Sequence, residues 1–332
     1  MTIHSPKVPI NLTHVETFPG AACLKRFPAV HAPRQKSRGF LGTIQSGSPP
    51  GAFVSNHLDS RPGRPNKYRL LYRIGFLTRN ALVNLGSIIW LLLNTAEEMA
   101  DNVRRGRWPF RPSALFIQTD RTAVGSVPLV LMVSFFLGLT MALLTGYQLE
   151  KFGVERLIPS LIAIAFTREL GPLITGIVLA ARIGAAFTAE LGTMQVAEEV
   201  EAIEAMGIGP LRFLVAPRLV AIVGAMPCLA VCSVIAALIG SCLISWVTLN
   251  IVPAFFFDSV LSSLLVNDIV TGFFKAAFFG LVIGLIACFK GLTVQGGAEG
   301  VGRATTGSVV IAITSVIGFD SLFNIIVTQY TK

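Results

Sequence analysis

Four ionisable residues interrupt long apolar segments of this chain, and their side chains are the ones best placed to do chemistry. They are Arg168, Glu169, Lys275 and Asp320. A charge at the centre of a bilayer costs about 2.5–3.5 kcal/mol on insertion scales, so such residues pair with one another or face a water-filled cavity. The set predicts an ion-pair network that clamps three helices, or a cavity in which Arg168 or Lys275 meets an anionic head group. One arrangement could do both.

A second group of residues forms an acidic, amphipathic segment between two apolar runs. Its apolar positions recur at helical spacing and form one stripe, while glutamates crowd the remaining surface. The stripe comprises Val196, Val200, Ile203 and Met206, and the glutamates are Glu198, Glu199, Glu201 and Glu204. Gly207 is placed to end this helix, and Pro210 follows it. A solvated connector would explain the segment, but the stripe beside four glutamates favours docking into a basic-rimmed groove on a partner.

Small residues recur every four positions in two of the apolar segments. One ladder is Gly176, Ala180, Gly184 and Thr188, and the other is Gly272, Ala276, Gly280 and Gly284. Small residues at this spacing let helix backbones approach closely. The ladders therefore predict close packing within one chain, with a homodimer seam as the alternative.

The elements that must position these residues are membrane-spanning helices. The chain has 332 residues, of which 53% are hydrophobic and 14% are charged, whereas soluble domains carry about 25% charged residues. Five apolar segments exceed the roughly 20 residues needed to cross a bilayer. They run over about 122–148, 157–188, 213–247, 268–290 and 305–329, and Gly171-Pro172 predicts that the second is bent or re-entrant. Residues 68–98 mix arginines with a short apolar run, which favours an interfacial helix.

The basic residues give the membrane domain an orientation. One face receives thirteen Lys and Arg residues, nine of them from 67–121, whereas the other receives Lys151, Arg156 and Lys332. The positive-inside rule places the thirteen-residue face on the side that corresponds to the bacterial cytoplasm, which in a chloroplast is the stroma. The acidic segment then lies on that same face, where an ATPase would be.

The first 66 residues have a different composition from the rest. They hold nine of the eighteen prolines, all four histidines and eight basic against two acidic residues. A basic, acid-poor segment of this kind is typical of an organelle transit peptide, and its scattered prolines favour a chloroplast over a mitochondrial leader. A disordered cytosolic or nucleic-acid-binding tail is the alternative. The expected organisation is a leader at 1–66, a basic interfacial segment at 67–121 and an all-α membrane domain at 122–332.

Several kinds of catalytic and metal site have no sequence signature here. The chain has no G-x-x-x-x-G-K-[ST] phosphate loop, so we expect any ATP to be used by a separate partner subunit. Removal of the leader would leave no histidine, and the five cysteines form no C-x-x-C pair. We therefore expect a non-catalytic subunit with no cofactor and no metal site.

At these residues the chain resembles the MlaE-type permeases of lipid-transporting ABC systems, and within them the plant chloroplast branch. The resemblance rests on a long composite motif that starts at the charged pair and ends beyond the acidic segment. It comprises Arg168 to Pro172, Ala181 to Gly184, Ala189 to Met194, Glu198 and Glu199, Ala205 to Pro210, Pro217-Arg218 and Arg303 to Thr306. About 80–332 is covered by the resemblance.

The resemblance implies a permease homodimer with an ABC ATPase docked on each coupling helix and an MCE-domain lipid-binding subunit on the opposite face. The coupling helix maps onto the segment from Thr193 to Gly207, and the family's intramembrane charges map onto Arg168, Glu169, Lys275 and Asp320. For the plant branch it implies import of glycerolipid from the endoplasmic reticulum, with phosphatidic acid as the candidate, across the chloroplast inner envelope for galactolipid synthesis.

These expectations carry two mutational consequences and one alternative. Val200→Asp with Ile203→Asp should uncouple transport without unfolding the spans, and Lys275→Ala should change bound lipid more than stability. The alternative is a transporter or channel that works alone on an ion gradient through its buried charges, and it predicts no associated ATPase.

Overall fold

Eleven helices make up the part of the chain that the computed structural model describes, namely residues 75, 79, 86–100 and 112–330. Residues 86–100 form α1. The others are α2 (Pro112–Thr122), α3 (Val127–Glu150), α4 (Ile158–Ala165), α5 (Gly171–Leu179), α6 (Ala185–Val196), α7 (Glu199–Ala205), α8 (Ala216–Leu249), α9 (Pro253–Ser263), α10 (Val266–Leu292) and α11 (Gly297–Tyr330). No strand occurs in these ranges. The proposed leader and most of the basic segment lie outside the described residues.

Short 3₁₀ and π-helical turns join several of these helices end to end into five spans. Each span is long and apolar enough to cross a membrane: Leu115–Glu150, Glu155–Val196, Leu211–Leu249, Val266–Leu292 and Gly297–Ile326. The predicted all-α polytopic membrane fold is confirmed. Four of the spans extend beyond both predicted boundaries, and the fifth begins before its predicted start. We call them the first to fifth spans.

The second span continues through Gly171-Pro172 instead of turning back, so the re-entrant alternative was wrong. A π-helical turn, Phe166–Leu170, precedes the proline and ends with the Gly171 N–H donating to the Phe166 carbonyl. Pro172 follows this turn directly, as the second residue of α5. The wider turn therefore absorbs the proline within a continuous helix.

The third span is the centre of the bundle. Its long helix α8 packs against α3, α10, α2 and α5. The helices α8 and α10 approach closely at Gly280, which has no side chain. A Cβ at this position would stand 2.8 Å from the Met226 side chain and 3.0 Å from the Ile222 carbonyl. A buried polar contact adds to this packing, since the Ser134 and Ser233 hydroxyls are 2.7 Å apart between α3 and α8.

The two small-residue ladders pack inside this one chain. A Cβ on Gly176 would stand 3.2 Å from Val316 and one on Gly284 2.8 Å from Leu219, while Gly272 would overlap the Thr167 carbonyl. Ala180 and Ala276 are fully buried, and Gly184 faces Ile283. The intrachain prediction is confirmed. The alternative, in which the ladders form a homodimer seam, was wrong, because helices of the same chain fill the space beside the small residues.

The outer faces of the first and fifth spans are apolar and exposed. In the most apolar 18-residue stretch of the first span, only 22% is buried. In the corresponding stretch of the fifth span, 11% is buried. Phe136, Leu144, Val310 and Ile325 are among the exposed side chains. In a spanning helix such a surface faces lipid or another membrane protein.

One amphipathic helix was not anticipated. The helix α9 connects the third and fourth spans, and it packs Phe256 and Val260 into a core cluster shared with α4. Its other face exposes Phe255 and Leu261. Eleven residues are too few for a spanning signal, so this helix was hidden in the sequence between two stronger apolar runs.

Candidate functional sites

A buried ion-pair cluster joins the second, fourth and fifth spans around Lys275. The Lys275 side chain is only 2% exposed, and its Nζ lies 2.7 Å from Glu169 Oε2 and 2.6 Å from Asp320 Oδ1. Glu169 projects from the π-helical turn Phe166–Leu170, a type of turn that is frequent at functional sites. Three of the four charges predicted from the sequence are thus brought together.

Asn324 completes this cluster, and sequence reasoning missed it. Its amide oxygen accepts a hydrogen bond from Lys275 Nζ at 3.2 Å, and its Nδ2 donates to Glu169 Oε2 at 2.8 Å. Asn324 lies one helical turn beyond Asp320 on α11, so the i, i+4 spacing of two polar residues in an apolar helix was the available signal. Lys275, Glu169, Asp320 and Asn324 are called the Lys275 cluster below.

Arg168 does not belong to the Lys275 cluster. Its Nε lies 3.4 Å from Asp268 Oδ1, and the Arg168 side chain is 37% exposed. Asp268 also caps the start of α10, where its Oδ2 accepts from the Leu265 N–H at 3.4 Å. Adjacent helical residues point in different directions, which is why Arg168 and Glu169 find different partners.

This separation corrects the predicted contacts of the two cations. Lys275 is occupied by two carboxylates and an amide oxygen, so it has no exposed surface for a lipid head group. Arg168 keeps over a third of its side chain exposed and is the cation that remains accessible. Lys275 lies ~14 Å along α10 from Val266, at 1.5 Å per residue, in the half of the bundle away from the acidic segment.

The acidic segment is two short helical pieces, so the predicted single helix over 193–207 was wrong. The helix α6 ends at Val196, and Glu198 adopts a left-handed conformation with φ of 58° before α7 begins at Glu199. The break rotates the following residues out of register, and the apolar positions no longer form one stripe. Val200 is fully buried, whereas Val196 is 41% and Met206 67% exposed.

The end of α7 agrees with the prediction. Gly207 has φ of +77°, a left-handed conformation that glycine adopts readily. Its N–H donates to the Glu204 carbonyl at 2.9 Å, and the Ile208 N–H donates to the Ile203 carbonyl at 3.2 Å. These two bonds are those of a Schellman motif. Residues 193–208 are called the coupling segment below.

The exposed surface of the coupling segment combines apolar and acidic side chains. Thr193, Glu198, Glu199 and Glu201 are exposed with Val196, Met206 and Ile208, while Ile203 and Glu204 are half-buried. The docking role of the segment stays a prediction. Its exposed apolar residues are Val196, Met206 and Ile208, whereas Val200 is buried.

A second ion-pair network ties the coupling segment's own helix to its neighbours. Glu190 of α6 accepts from Arg121 Nη1 at 2.9 Å and from Arg218 Nη2 at 3.1 Å. The Arg218 side chain is 7% exposed and also donates to the Leu214 carbonyl. The sequence offered Glu190 and Arg218 only as parts of the resemblance, because the three charges are far apart along the chain.

No group of three or more residues that could hold a metal ion occurs among the described residues. The charged groups described above within the spans are the Lys275 cluster, the Arg168–Asp268 pair and the Glu190 network.

Comparison with known proteins decides the family. The model of the family described as Permease MlaE matches residues 115–326, which contain all three charged groups and the coupling segment. The chain belongs to the MlaE permease family. The match begins at the first span, so α1 lies outside it.

Several curated proteins are similar to this permease. A probable ABC transporter permease protein of Rickettsia typhi is 35% identical over 205 residues, 60% of this chain and 79% of that protein. One of Synechocystis is 34% identical over 199 residues, 60% of this chain and 76% of that protein. The protein TRIGALACTOSYLDIACYLGLYCEROL 1, chloroplastic, of Arabidopsis thaliana is 37% identical over 203 residues, 61% of this chain and 58% of that protein.

Proposed function

We propose that this chain is the lipid-translocating permease subunit of an ABC transporter. It works as a homodimer, with an ATPase subunit on each coupling segment and an MCE-domain lipid-binding subunit at the opposite face. The family and the relatives named as ABC transporter permeases support the subunit's role. The chain itself supplies no catalysis and no cofactor, and ATP is used by the partner.

The observation that carries the proposal is that one helix bears both candidate sites. The second span holds Arg168 and Glu169 in its first half and runs into the coupling segment at its far end. Its π-helical turns, Phe166–Leu170 and Ala180–Gly184, are places where a continuous helix can change its local pitch. A displacement of the coupling segment therefore reaches Arg168 and Glu169 along one continuous backbone.

Arg168 is the residue we assign to the lipid head group. Of the four charges predicted from the sequence, it is the cation that remains accessible, and a guanidinium suits bidentate contact with phosphate. The Lys275 cluster has the different role of fixing the three spans around this position. The substrate class is accordingly a glycerolipid with an anionic head group, with phosphatidic acid as the candidate.

The compartment we propose is the chloroplast inner envelope, with lipid from the endoplasmic reticulum imported for galactolipid synthesis. The composition of residues 1–66 supports a plastid leader. The similarity to an Arabidopsis protein whose name includes the word chloroplastic supports the same compartment.

Lipid binding can be tested on the purified full chain by native mass spectrometry. Arg168→Gln should lower the occupancy by phosphatidic acid about tenfold, because it removes a charge-assisted contact. Lys151→Gln is the matched control, since Lys151 is exposed at the same end of the bundle and its Nζ lies 4.1 Å from the Tyr147 ring centroid. Equal phosphatidic acid occupancy in wild type and Arg168→Gln would contradict the assignment.

A further inference from the structure

The helix α1 lies against the membrane bundle through one of its faces. Leu91 is 1% and Thr95 2% exposed, and Ile88 packs against the main core cluster. These positions recur at three- and four-residue spacing, which is one helical face. Ile89 and Leu93, on the other side, are more than half exposed. The inner face continues by about one turn to Glu98.

Glu98 contacts the chain just after the coupling segment. Its carboxylate oxygens lie 3.4 and 3.6 Å from where a Cβ of Gly209 would stand. The carboxylate also accepts a hydrogen bond from the Arg212 backbone N–H, and it interacts electrostatically with the Arg212 side chain. The preceding residue, Glu97, is exposed.

The Arg212 N–H belongs to the first turn of the third span. That span begins with the π-helical turn Leu211–Val215, and the first N–H groups of a helix have no partner within it. A carboxylate there satisfies a backbone donor and is favoured by the positive end of the helix dipole. Glu98 thus does for the third span what a capping side chain does, but from a different helix.

We propose that α1 is a strap that holds the exit of the coupling segment, with Glu98 as the positioning residue. Gly207 provides a turn at the end of α7, and only Ile208 to Pro210 separate it from the third span. Anchoring this short connection makes the coupling segment, the start of the third span and α1 move together. The contribution to transport rests on the proposed function, whereas the contact itself does not.

Hydrogen exchange of the Arg212 amide in the purified full chain tests the contact. Glu98→Ala removes the acceptor and should speed exchange at Arg212 about tenfold, since hydrogen bonds to charged acceptors are among the stronger ones. Glu98→Gln keeps an acceptor oxygen and should restore most of the protection. Glu97→Ala is the matched control and should leave exchange unchanged. Unchanged exchange in Glu98→Ala, or the same increase in Glu97→Ala, overturns the strap.

The strap's mechanical role is tested in the complex isolated with its ATPase. Lipid moved per ATP hydrolysed should fall several-fold in Glu98→Ala and be recovered in Glu98→Gln, while bound ATPase stays at the wild-type level. An unchanged ratio overturns the mechanical role. Absence of an ATPase from the wild-type preparation overturns the proposed function instead, and the exchange result at Arg212 then still decides whether the contact exists.

Discussion

Lys275 shows how a single buried charge depends on its partners. Lys275→Ala leaves Glu169 and Asp320 facing each other without their cation. Breaking a buried ion pair by removing one partner typically costs about 3–5 kcal/mol. We therefore expect a clear loss of thermal stability in detergent, which replaces the expectation that this variant changes bound lipid more than stability.

The control for Lys275→Ala restores charge balance in the same cluster. Adding Glu169→Gln and Asp320→Asn to Lys275→Ala removes the uncompensated carboxylates, and we expect the triple variant to regain most of the lost stability. Thermal unfolding followed by intrinsic fluorescence measures both. A Lys275→Ala protein as stable as wild type would contradict the structural role of the cluster.

Glu98 is a residue whose titration can be predicted. Burial raises the pKa of its carboxyl above the ordinary value of 4.5, more than the Arg212 charge and N–H lower it, and Glu97 raises it further. The folded state therefore binds this proton more tightly than the unfolded state, so wild type loses stability as pH rises from 4.5 through the folded pKa.

The comparison with Glu98→Gln isolates this effect. The amide does not ionise, so the stability of Glu98→Gln relative to wild type should rise between pH 4.5 and pH 8. Melting temperatures across that interval measure the difference. A relative stability that falls with rising pH would mean that Arg212 outweighs burial.

At the scale of helices, the break in the coupling segment separates residues that sequence periodicity had grouped. Met206 is 67% exposed and Val200 is fully buried. Met206→Asp should leave the melting temperature unchanged and abolish ATPase co-purification, because it places a charge in the proposed contact. Val200→Asp should instead destabilise the fold by burying an unpaired charge. Retained ATPase binding in Met206→Asp would contradict the docking surface.

Close packing between α8 and α10 gives a second prediction for helices. Gly280→Ala should destabilise the bundle by about 1–3 kcal/mol, because the new methyl group meets Met226 and the Ile222 carbonyl. Gly224→Ala, on α8, meets nothing within 4 Å and should be neutral or slightly stabilising. Thermal unfolding of the two variants checks this contrast, and equal effects would count against the packing.

The sequence predicted the five spans and the intrachain role of the small residues because length, hydropathy and four-residue spacing are local properties. It could not predict which polar side chains pair. Arg168 contacts Asp268, and Lys275 contacts Asn324, only because three spans pack together. The left-handed conformation of Glu198 could not be predicted either, because the apolar periodicity of the sequence continues through this residue while the helical backbone is interrupted there. Neighbouring turns and tertiary contacts decided these positions.

Across the whole membrane domain, the two candidate sites lie at opposite ends of the same bundle. Arg168 and the Lys275 cluster lie in the half of the bundle whose outer face has few basic residues, and the coupling segment and Glu190 network lie toward the basic face. The buried third span holds these ends together, while the first and fifth spans present apolar faces outward. This arrangement fits the proposed permease, in which an ATPase acts at the basic face and a lipid head group binds in the opposite half of the bundle.

Reconstitution of the purified complex into liposomes that contain fluorescent phosphatidic acid tests the central claim most directly. We predict that the wild-type chain brings an ATPase subunit and moves lipid only with ATP, and that Met206→Asp loses both properties while remaining folded. Lipid movement without any ATPase, driven by an imposed ion gradient, would contradict the account.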